Sequence, residues 1–433
     1  MEQRPDVDPL PPAAALSAGQ AVLEGQSRRK GLSRLWPFLG PAFIASVAYM
    51  DPGNYATNLS GGARYGYMLL WVVMGSNLLA MLVQTLSAKL GIATQHNLAE
   101  LCRRRFPRWL VWTMWVLMEI VAMATDLAEF LGAALGLYLL FGMPLWIAGL
   151  ATGAATFAIL VLERFGFRPL EAVITAMVGV IAFCYLIELG VAHPDWGQVA
   201  VGSFRPRFAG RDSVVLAAGI LGATVMPHVI FLHSSLTQNR IVPRTAEQSR
   251  RLFHFEVFDV VLAMGVAGAI NAAMMIMAAK AFHDRGLFDV DAIEKAYLTL
   301  QPLLGKAAGT LFALSLLASG LSSSVVGTMS GQVIMQGFLD RHIPVWLRRL
   351  VTMAPALIVI FLGLDATRTL IFSQVALSFG LPMAIIPLVL FTRRADVMGV
   401  LVNRRLTSAL AWLAAALILA LNGYLLYQLM AGG

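Results

Sequence analysis

The sequence predicts an all-α polytopic membrane protein with eleven transmembrane helices. Hydrophobic residues make up 58% of the 433 residues and charged residues only 13%, whereas a soluble domain carries about 25% charged residues. The mean hydropathy is +0.73. The apolar residues fall into eleven runs, each near or above the roughly 20 residues that span a bilayer as a helix. This composition excludes a soluble enzyme, a nucleic-acid binder and a disordered scaffold.

The runs follow one another along the chain with short polar loops between them. Residues 1–34 precede the first run and are predicted to form a disordered cytoplasmic tail. Residues 35–433 are predicted to form a single transmembrane domain. The predicted spans are residues 36–62, 67–90, 109–140, 143–162, 169–191, 212–238, 253–281, 304–337, 346–363, 367–391 and 406–430.

The positive charges predict the orientation of the chain. Most of the 32 Lys and Arg residues lie in the tail or in loops on the same side as the N-terminus. Basic loops stay in the cytoplasm, so we expect a cytoplasmic N-terminus and, after an odd number of spans, an extracytoplasmic C-terminus in a cell membrane, most simply a bacterial inner membrane. The net charge of +8 is then a topological signal, and no nucleic-acid partner is expected.

Two predicted helices are interrupted near the middle of the span. Pro52 and Gly53 interrupt the first helix and Pro227 interrupts the sixth, because proline lacks a backbone donor and clashes with the preceding turn. The two helices hold corresponding places in two five-helix repeats, about 36–191 and 212–391, with helix 11 at about 406–430 outside them. Each repeat has an odd number of helices, so the second is inverted in the membrane. Matching broken helices in inverted repeats indicate a secondary transporter with its site at the midplane.

The residues at the two breaks offer ligands for a metal ion. Asp51 supplies a carboxylate and Asn54 an amide oxygen, while the carbonyls of Ala48 and Ala223 are freed by the prolines four residues on. Met226 adds a thioether, a poor ligand for Ca²⁺ or Mg²⁺ but an acceptable one for softer metals. The set favours Mn²⁺ or Fe²⁺. The alternatives are core packing for Met226 and a structural ion pair for Asp51, whose charge would otherwise cost about 2.5–3.5 kcal/mol at mid-bilayer.

A row of acids on the third helix indicates a route for protons. The spacings of seven and three residues between the acids place them on one helix face. His228 lies beside the second break, and histidine is the side-chain type whose unperturbed pKa is near neutrality. The alternative is a buried polar network that ties the helices together through Arg348 and Arg349. His233 is expected to have a packing role. The three acids are Glu119, Asp126 and Glu129.

These motifs resemble those of the Nramp (natural resistance-associated macrophage protein) divalent-metal transporters. The paired segments Asp51-Pro52-Gly53-Asn54 and Met226-Pro227-His228 carry the resemblance, and the chain from about residue 35 onward fits the eleven-helix bacterial form. The resemblance implies a LeuT-like fold and proton-coupled import of Mn²⁺ or Fe²⁺ through metal ligands at Asp51, Asn54, Met226 and the carbonyls of Ala48 and Ala223. It adds Gln374 as a ligand in some states. The helix-3 segment from Ala124 to Glu129 is similar to the family's proton-exit path, with His228 beside it and Arg348 and Arg349 further along. Independently of the resemblance, we expect Asp51 to be the first proton acceptor and Glu119 to belong to the same row of acids.

We therefore expect a secondary transporter working by alternating access, and no enzyme, resident cofactor or obligate protein partner. Its partners would be divalent metal ions, protons and the lipid bilayer. Two alternatives remain. One is an amino-acid transporter of the same fold, in which Asp51 would repel the substrate carboxylate. The other is a passive divalent-cation channel, whose uptake would neither saturate at low concentration nor respond to pH.

Overall fold

The structure is a computed structural model that describes residues 13–26, 34–35, 37–161, 167–288, 292–341 and 343–430. All regular secondary structure in these ranges is helical. The helices are α1 (Ala13–Leu23), α2 (Pro41–Ala48), α3 (Pro52–Tyr65), α4 (Leu70–Thr94), α5 (Leu98–Arg105), α6 (Arg108–Phe141), α7 (Leu145–Val161), α8 (Phe167–Ala192), α9 (Trp196–Phe204), α10 (Arg211–Thr224), α11 (Pro227–Thr237), α12 (Ala246–Ala281), α13 (Ile293–Leu304), α14 (Lys306–Leu339), α15 (Val345–Phe361), α16 (Ala366–Thr392), α17 (Ala395–Met398) and α18 (Arg405–Met430).

Each predicted span coincides with one long helix or with one pair of shorter helices. In the described residues, eight segments are long and apolar enough to cross a membrane. This number is below eleven because the segment Pro52–Thr94 joins parts of two predicted spans, and because α7 and α15 have 17 residues each. The all-helical membrane architecture is confirmed, and the count of eleven stays a prediction.

Both predicted helix breaks are present. The first span consists of α2, which ends at Ala48, and α3, which begins at Pro52, with residues 49–51 between them. The sixth span consists of α10 and α11, separated by Val225 and Met226 in non-helical conformations. Pro52 and Pro227 each occupy the first position of the second half-helix, where their missing N–H has no intrahelical partner to lose.

Part of the predicted disordered tail is helical instead. Helix α1 buries Val22 and Leu23, each 3% exposed, in a small apolar cluster with the start of the first span. Nη1 of Arg244 lies 3.5 Å from Oε1 of Glu24, at the end of α1. Apolar burial at the end of a short helix explains the difference, because it offsets part of the entropy of ordering the chain. Residues 1–12 and 27–33 lie outside the described residues.

The centre of the bundle depends on close contacts between α6 and α14. A Cβ atom at Gly320 of α14 would meet the backbone of Ala133 and Glu129 on α6, and one at Gly136 of α6 would meet Leu317. Small residues allow the backbones of membrane helices to approach each other and gain packing contacts. The first break also lies in this region, since Gly132 of α6 faces the Pro52 ring.

Candidate functional site

Asp51 forms the N-cap of the half-helix α3. Its backbone is extended (φ −74°, ψ 168°), and its Oδ1 accepts hydrogen bonds from the backbone N of Asn54 at 2.9 Å and from Nδ2 of Asn54 at 2.8 Å. The N-terminus of a helix carries partial positive charge and stabilises a nearby carboxylate. The break therefore holds a carboxylate in the bundle interior, with Asp51 fully buried.

Asn54 connects the two helix breaks. Its Nδ2 also donates to the carbonyl oxygen of Ala223 at 3.1 Å, and Ala223 lies at the end of α10 beside the second break. Asp51, Asn54 and Ala223 are each 0% exposed. The structure thus brings together three of the predicted metal ligands, from helices that are far apart in sequence.

Three buried side-chain oxygens at this junction have no hydrogen-bond partner among the described residues. Two of them, Oδ2 of Asp51 and Oδ1 of Asn54, belong to residues that join the two breaks. The third is Oε1 of Gln374, which is predicted to bind the metal in some states. A buried polar atom without a partner is costly. A divalent cation bound by these oxygens would remove that cost, and carboxylate and amide oxygens are ligands that such ions accept.

Gln374 on α16 packs closely against a glycine beside each of the two breaks. A Cβ atom at Gly53 would overlap the side chain of Gln374, and a Cβ atom at Gly222 of α10 would overlap its backbone carbonyl. Both positions therefore need glycine for α16 to pack this closely. The contact places Gln374 beside the residues that join the breaks, as the family resemblance implies.

Met226 and Ala48 lie at the same breaks. Met226 is the N-cap residue of α11 in an extended conformation and is fully buried. Ala48 ends α2, and Pro52, four residues on, has no N–H to bond its carbonyl. The junction observed between the breaks is made by Asn54 and Ala223, and the ligand roles of Met226 and Ala48 stay predictions.

The third-helix acids and the arginine pair meet as the sequence suggested. Nη2 of Arg348 lies 3.0 Å from Oε2 of Glu119, and Nη1 of Arg349 lies 2.6 Å from Oδ1 of Asp126. These two ion pairs fasten α15 to α6. Two of the three acids therefore form the network that the sequence offered as the alternative to a relay, and a paired carboxylate can still exchange protons when its partner moves.

Glu129 and His228 have side-chain atoms without hydrogen-bond partners among the described residues, and these atoms are available for proton exchange. Neither carboxylate oxygen of Glu129 has a hydrogen-bond partner among the described residues, although a Cβ atom at Gly327 would lie within 3.1 Å of the Glu129 and Asp126 carboxylates. The Nδ1 atom of His228 lies 3.3 Å from Oγ1 of Thr125, and its Nε2 is unpartnered in the described part of the chain. Glu129, the acid of this row without a partner among the described residues, lies about one helical turn before Gly132 on α6. Gly132 faces the Pro52 ring at the first break.

Side chains from two other helices bind carbonyls freed at the first break. Nδ2 of Asn271 on α12 donates to the carbonyl of Tyr49 at 2.7 Å, and Oγ of Ser319 on α14 donates to the carbonyl of Met50 at 2.5 Å. Asn271 was not among the residues predicted for the site. Its polarity within an apolar run was the one available signal.

A second buried network lies on the side of the N-terminus, and the sequence did not predict it. The Oδ2 atom of Asp259 on α12 accepts from the backbone N of Gly40 at 3.1 Å and of Ala42 at 3.0 Å, so it caps α2 from another helix. His233 contacts Gln84 Oε1 at 2.9 Å through Nδ1 and Glu256 Oε1 at 3.3 Å through Nε2. His233 therefore has a polar role in addition to the packing role expected from the sequence.

Comparisons with known proteins identify the family of this chain. A family model described as "Natural resistance-associated macrophage protein-like" matches residues 42–428. The chain belongs to the Nramp family. A relative from Deinococcus radiodurans named "Divalent metal cation transporter MntH" is 56% identical over 429 residues, which cover 99% of this chain and 98% of the relative.

Solved structures give the same result for the fold. The manganese transporter of Eremococcus coleocola superposes with a TM-score of 0.83 at 36% identity, covering 91% of this Nramp chain and 87% of that chain. MhsT in complex with L-phenylalanine, at 16% identity, matches with a TM-score of 0.56 over 92% of this chain and all of its own, and this likeness concerns the fold alone. The predicted Nramp membership and LeuT-like fold are confirmed. The relatives are named as transporters, in agreement with the prediction that the chain is no enzyme.

Proposed function

We propose that this Nramp chain imports divalent transition-metal ions, Mn²⁺ and also Fe²⁺, together with protons by alternating access. The observation that carries the proposal is the set of unpartnered, fully buried oxygens on Asp51, Asn54 and Gln374 at the junction of two broken helices. The names of the relatives, which describe divalent metal cation and manganese transport, support the same substrate class.

The metal is the transported substrate, and it is held by a mixed ligand set. Asp51 provides the only charge among the proposed ligands, so one carboxylate offsets part of the charge of a divalent ion. Asn54, Gln374 and the carbonyls of Ala48 and Ala223 replace water oxygens. The sulfur of Met226 favours a softer ion over Ca²⁺ or Mg²⁺. No resident cofactor is required for transport of this kind.

Protons would leave the site through the acids of α6. In the proposed route Asp51 accepts a proton when no metal is bound, and His228 and Glu129 offer unpartnered side-chain atoms that can receive it. Asp126 and Glu119 continue the row, paired with Arg349 and Arg348. Motion of α15 relative to α6 would open these pairs and leave both carboxylates without their arginine partners.

The proposed orientation of the chain follows from the charge of the loops. The chain would lie in a cell membrane, with the N-terminus in the cytoplasm and the C-terminus outside. In a bacterial cell this is the inner membrane. The lipid bilayer and the transported ions are then its partners, and no second protein chain is needed for the site.

The variant Asp51→Asn tests this function in proteoliposomes. Asparagine also caps helices, so the substitution removes the charge and keeps the cap. With the solution outside the liposomes more acidic than the solution inside, we expect the wild type to show saturable, pH-dependent Mn²⁺ uptake. We expect this uptake to be lost in Asp51→Asn. Asp365→Asn is the matched control, because Asp365 caps α16 through the backbone N of Arg368 outside the site. Normal uptake by Asp51→Asn would refute the proposed site.

A further inference from the structure

Glu188 on α8 is a buried acid with no role in the transport route described above. It is 1% exposed, and neither of its carboxylate oxygens has a hydrogen-bond partner among the described residues. It lies four residues before α8 ends at Ala192, about 6 Å along the axis at 1.5 Å per residue. Glu188 is therefore deep in the bundle but near the side of the membrane opposite the N-terminus.

The surroundings of Glu188 are aromatic and apolar. Tyr185 lies one turn earlier on the same face of α8, and its ring packs edge-on against Tyr55 of α3 with centroids 5.6 Å apart. Tyr55 also packs against Phe312 of α14 at 6.1 Å. The titratable groups near Glu188 are Tyr55 on α3 and Cys184 and Tyr185 on its own helix. Helices α2, α12, α13 and α14 also pack against α8, and no charged side chain of their described residues forms an ion pair with Glu188.

An ionised carboxylate in such a place is strongly unfavourable. Removing a charge from water without a partner costs several kcal/mol or more in practice, and none of the observed contacts of Glu188 compensates for it. The carboxyl group is therefore neutral in this state and holds a proton. A neutral carboxyl group can donate that proton when water or a base reaches it.

The position of Glu188 connects the far side of the membrane with the first helix break. Tyr55 lies one turn after Asp51 on α3, where its backbone N donates to the carbonyl of Asp51 at 3.4 Å, and its ring contacts Tyr185, one turn before Glu188 on α8. We propose that Glu188 is a second proton-binding site, which loads a proton from the extracytoplasmic solution and passes it toward the break at Asp51. The O–H bond of Glu188 breaks as the proton moves inward and forms again with a proton from outside, with no electron transfer. This inference rests on the proposed proton coupling.

The variant Glu188→Gln tests the proposal, because glutamine matches the neutral acid in shape and cannot exchange a proton. In proteoliposomes with one dye for protons and one for metal, we expect the proton influx per Mn²⁺ to fall by about tenfold or more, as for loss of one positioned proton-transfer group. The KM for Mn²⁺ should stay unchanged. A purely structural Glu188 predicts wild-type proton influx in this variant, and that result would overturn the proposal.

Asp195→Asn is the control for loss of an acid on the same side. Asp195 is exposed and caps α9, and hydrogen bonds from Gln198 and Gly197 keep the pKa of Asp195 below its ordinary value. The control therefore loses a full negative charge near the entrance, and we expect it to retain wild-type proton influx. If the wild type itself moves Mn²⁺ without protons, the proposed proton coupling is wrong. If the wild type and Glu188→Gln both move protons with Mn²⁺ in the same ratio, only the proposed role of Glu188 is wrong.

A measurement on the wild type covers the case in which Glu188→Gln does not fold. Dicyclohexylcarbodiimide reacts with protonated carboxyl groups in apolar surroundings, and peptide mass spectrometry locates the modified residue. We expect labelling at Glu188 that falls as the pH rises and that blocks proton influx in proportion. Absence of labelling at Glu188, or labelling that leaves the proton influx unchanged, would overturn the proposal.

Discussion

Nη1 of Arg349 lies 2.6 Å from Oδ1 of Asp126, and both side chains are at most 2% exposed. The pair joins α15 to the acidic face of α6 inside a membrane bundle. Each charge is tolerated there because the other is present.

Removing Arg349 should therefore destabilise the fold more than removing an exposed arginine. Breaking a buried ion pair by deleting one partner costs about 3–5 kcal/mol, and we expect Arg349→Ala to lower the thermal unfolding midpoint in detergent. Adding Asp126→Asn should restore part of the loss, since no unpaired charge then remains. The control is Arg394→Ala, which breaks the exposed pair with Asp396 and should cost less than about 1 kcal/mol. Equal losses in the two arginine variants would contradict this account.

Met226→Ala should change the selectivity for metals more than their transport. The variant loses the one soft ligand but keeps the oxygens of the site, so Mn²⁺ uptake should continue while Ca²⁺ and Mg²⁺ compete better. Competition assays in proteoliposomes measure this directly. Met353→Ala is the control, because Met353 is also buried but packs against Gly153 on α7. Unchanged selectivity in Met226→Ala would count against a sulfur ligand.

Glu129→Gln should reduce proton movement more than metal movement. Glu129 is the unpaired acid of the α6 row, and glutamine cannot carry its proton. We expect the proton flux per Mn²⁺ to fall by about tenfold or more, measured with a pH dye and a metal dye in the same liposomes. Glu100→Gln is the control, since glutamine can keep the capping box of α5. Equal losses of proton and metal flux in Glu129→Gln would argue for a structural role.

Gly53→Ala should destabilise the protein through its contact with Gln374. The added Cβ atom would overlap the Gln374 side chain, and overpacking of this kind costs about 1–3 kcal/mol. Adding Gln374→Ala should restore the unfolding midpoint, because the overlapping atoms are then absent. Gly75→Ala on α4 is the control, since a Cβ atom there meets nothing within 4 Å. No rescue by Gln374→Ala would show that the strain has another source.

The features that could be predicted from the sequence are those with a local cause. Pro52 and Pro227 break their helices through their own covalent structure, so both breaks were predictable from single motifs. The spacing of Glu119, Asp126 and Glu129 along one helix also fixes their common face, whatever surrounds it.

The features that could not be predicted depend on which helices become neighbours. Asp259 caps α2 by accepting from the backbone N of Ala42, which is 217 residues away in sequence. No sequence pattern near Gly40 or Asp259 predicts that contact. Gln374 reaches the site because Gly53 and Gly222 leave room for it, which is a property of three helices together. The burial of Glu188 likewise depends on how α3 and α14 pack against α8.

The most direct test of the metal site is anomalous diffraction from crystals soaked in Mn²⁺. We expect one strong peak between Asp51, Asn54 and the break at Ala223 to Met226, and the loss of this peak in Asp51→Asn. A strong peak elsewhere in the bundle, with none at the junction of the two breaks, would contradict it.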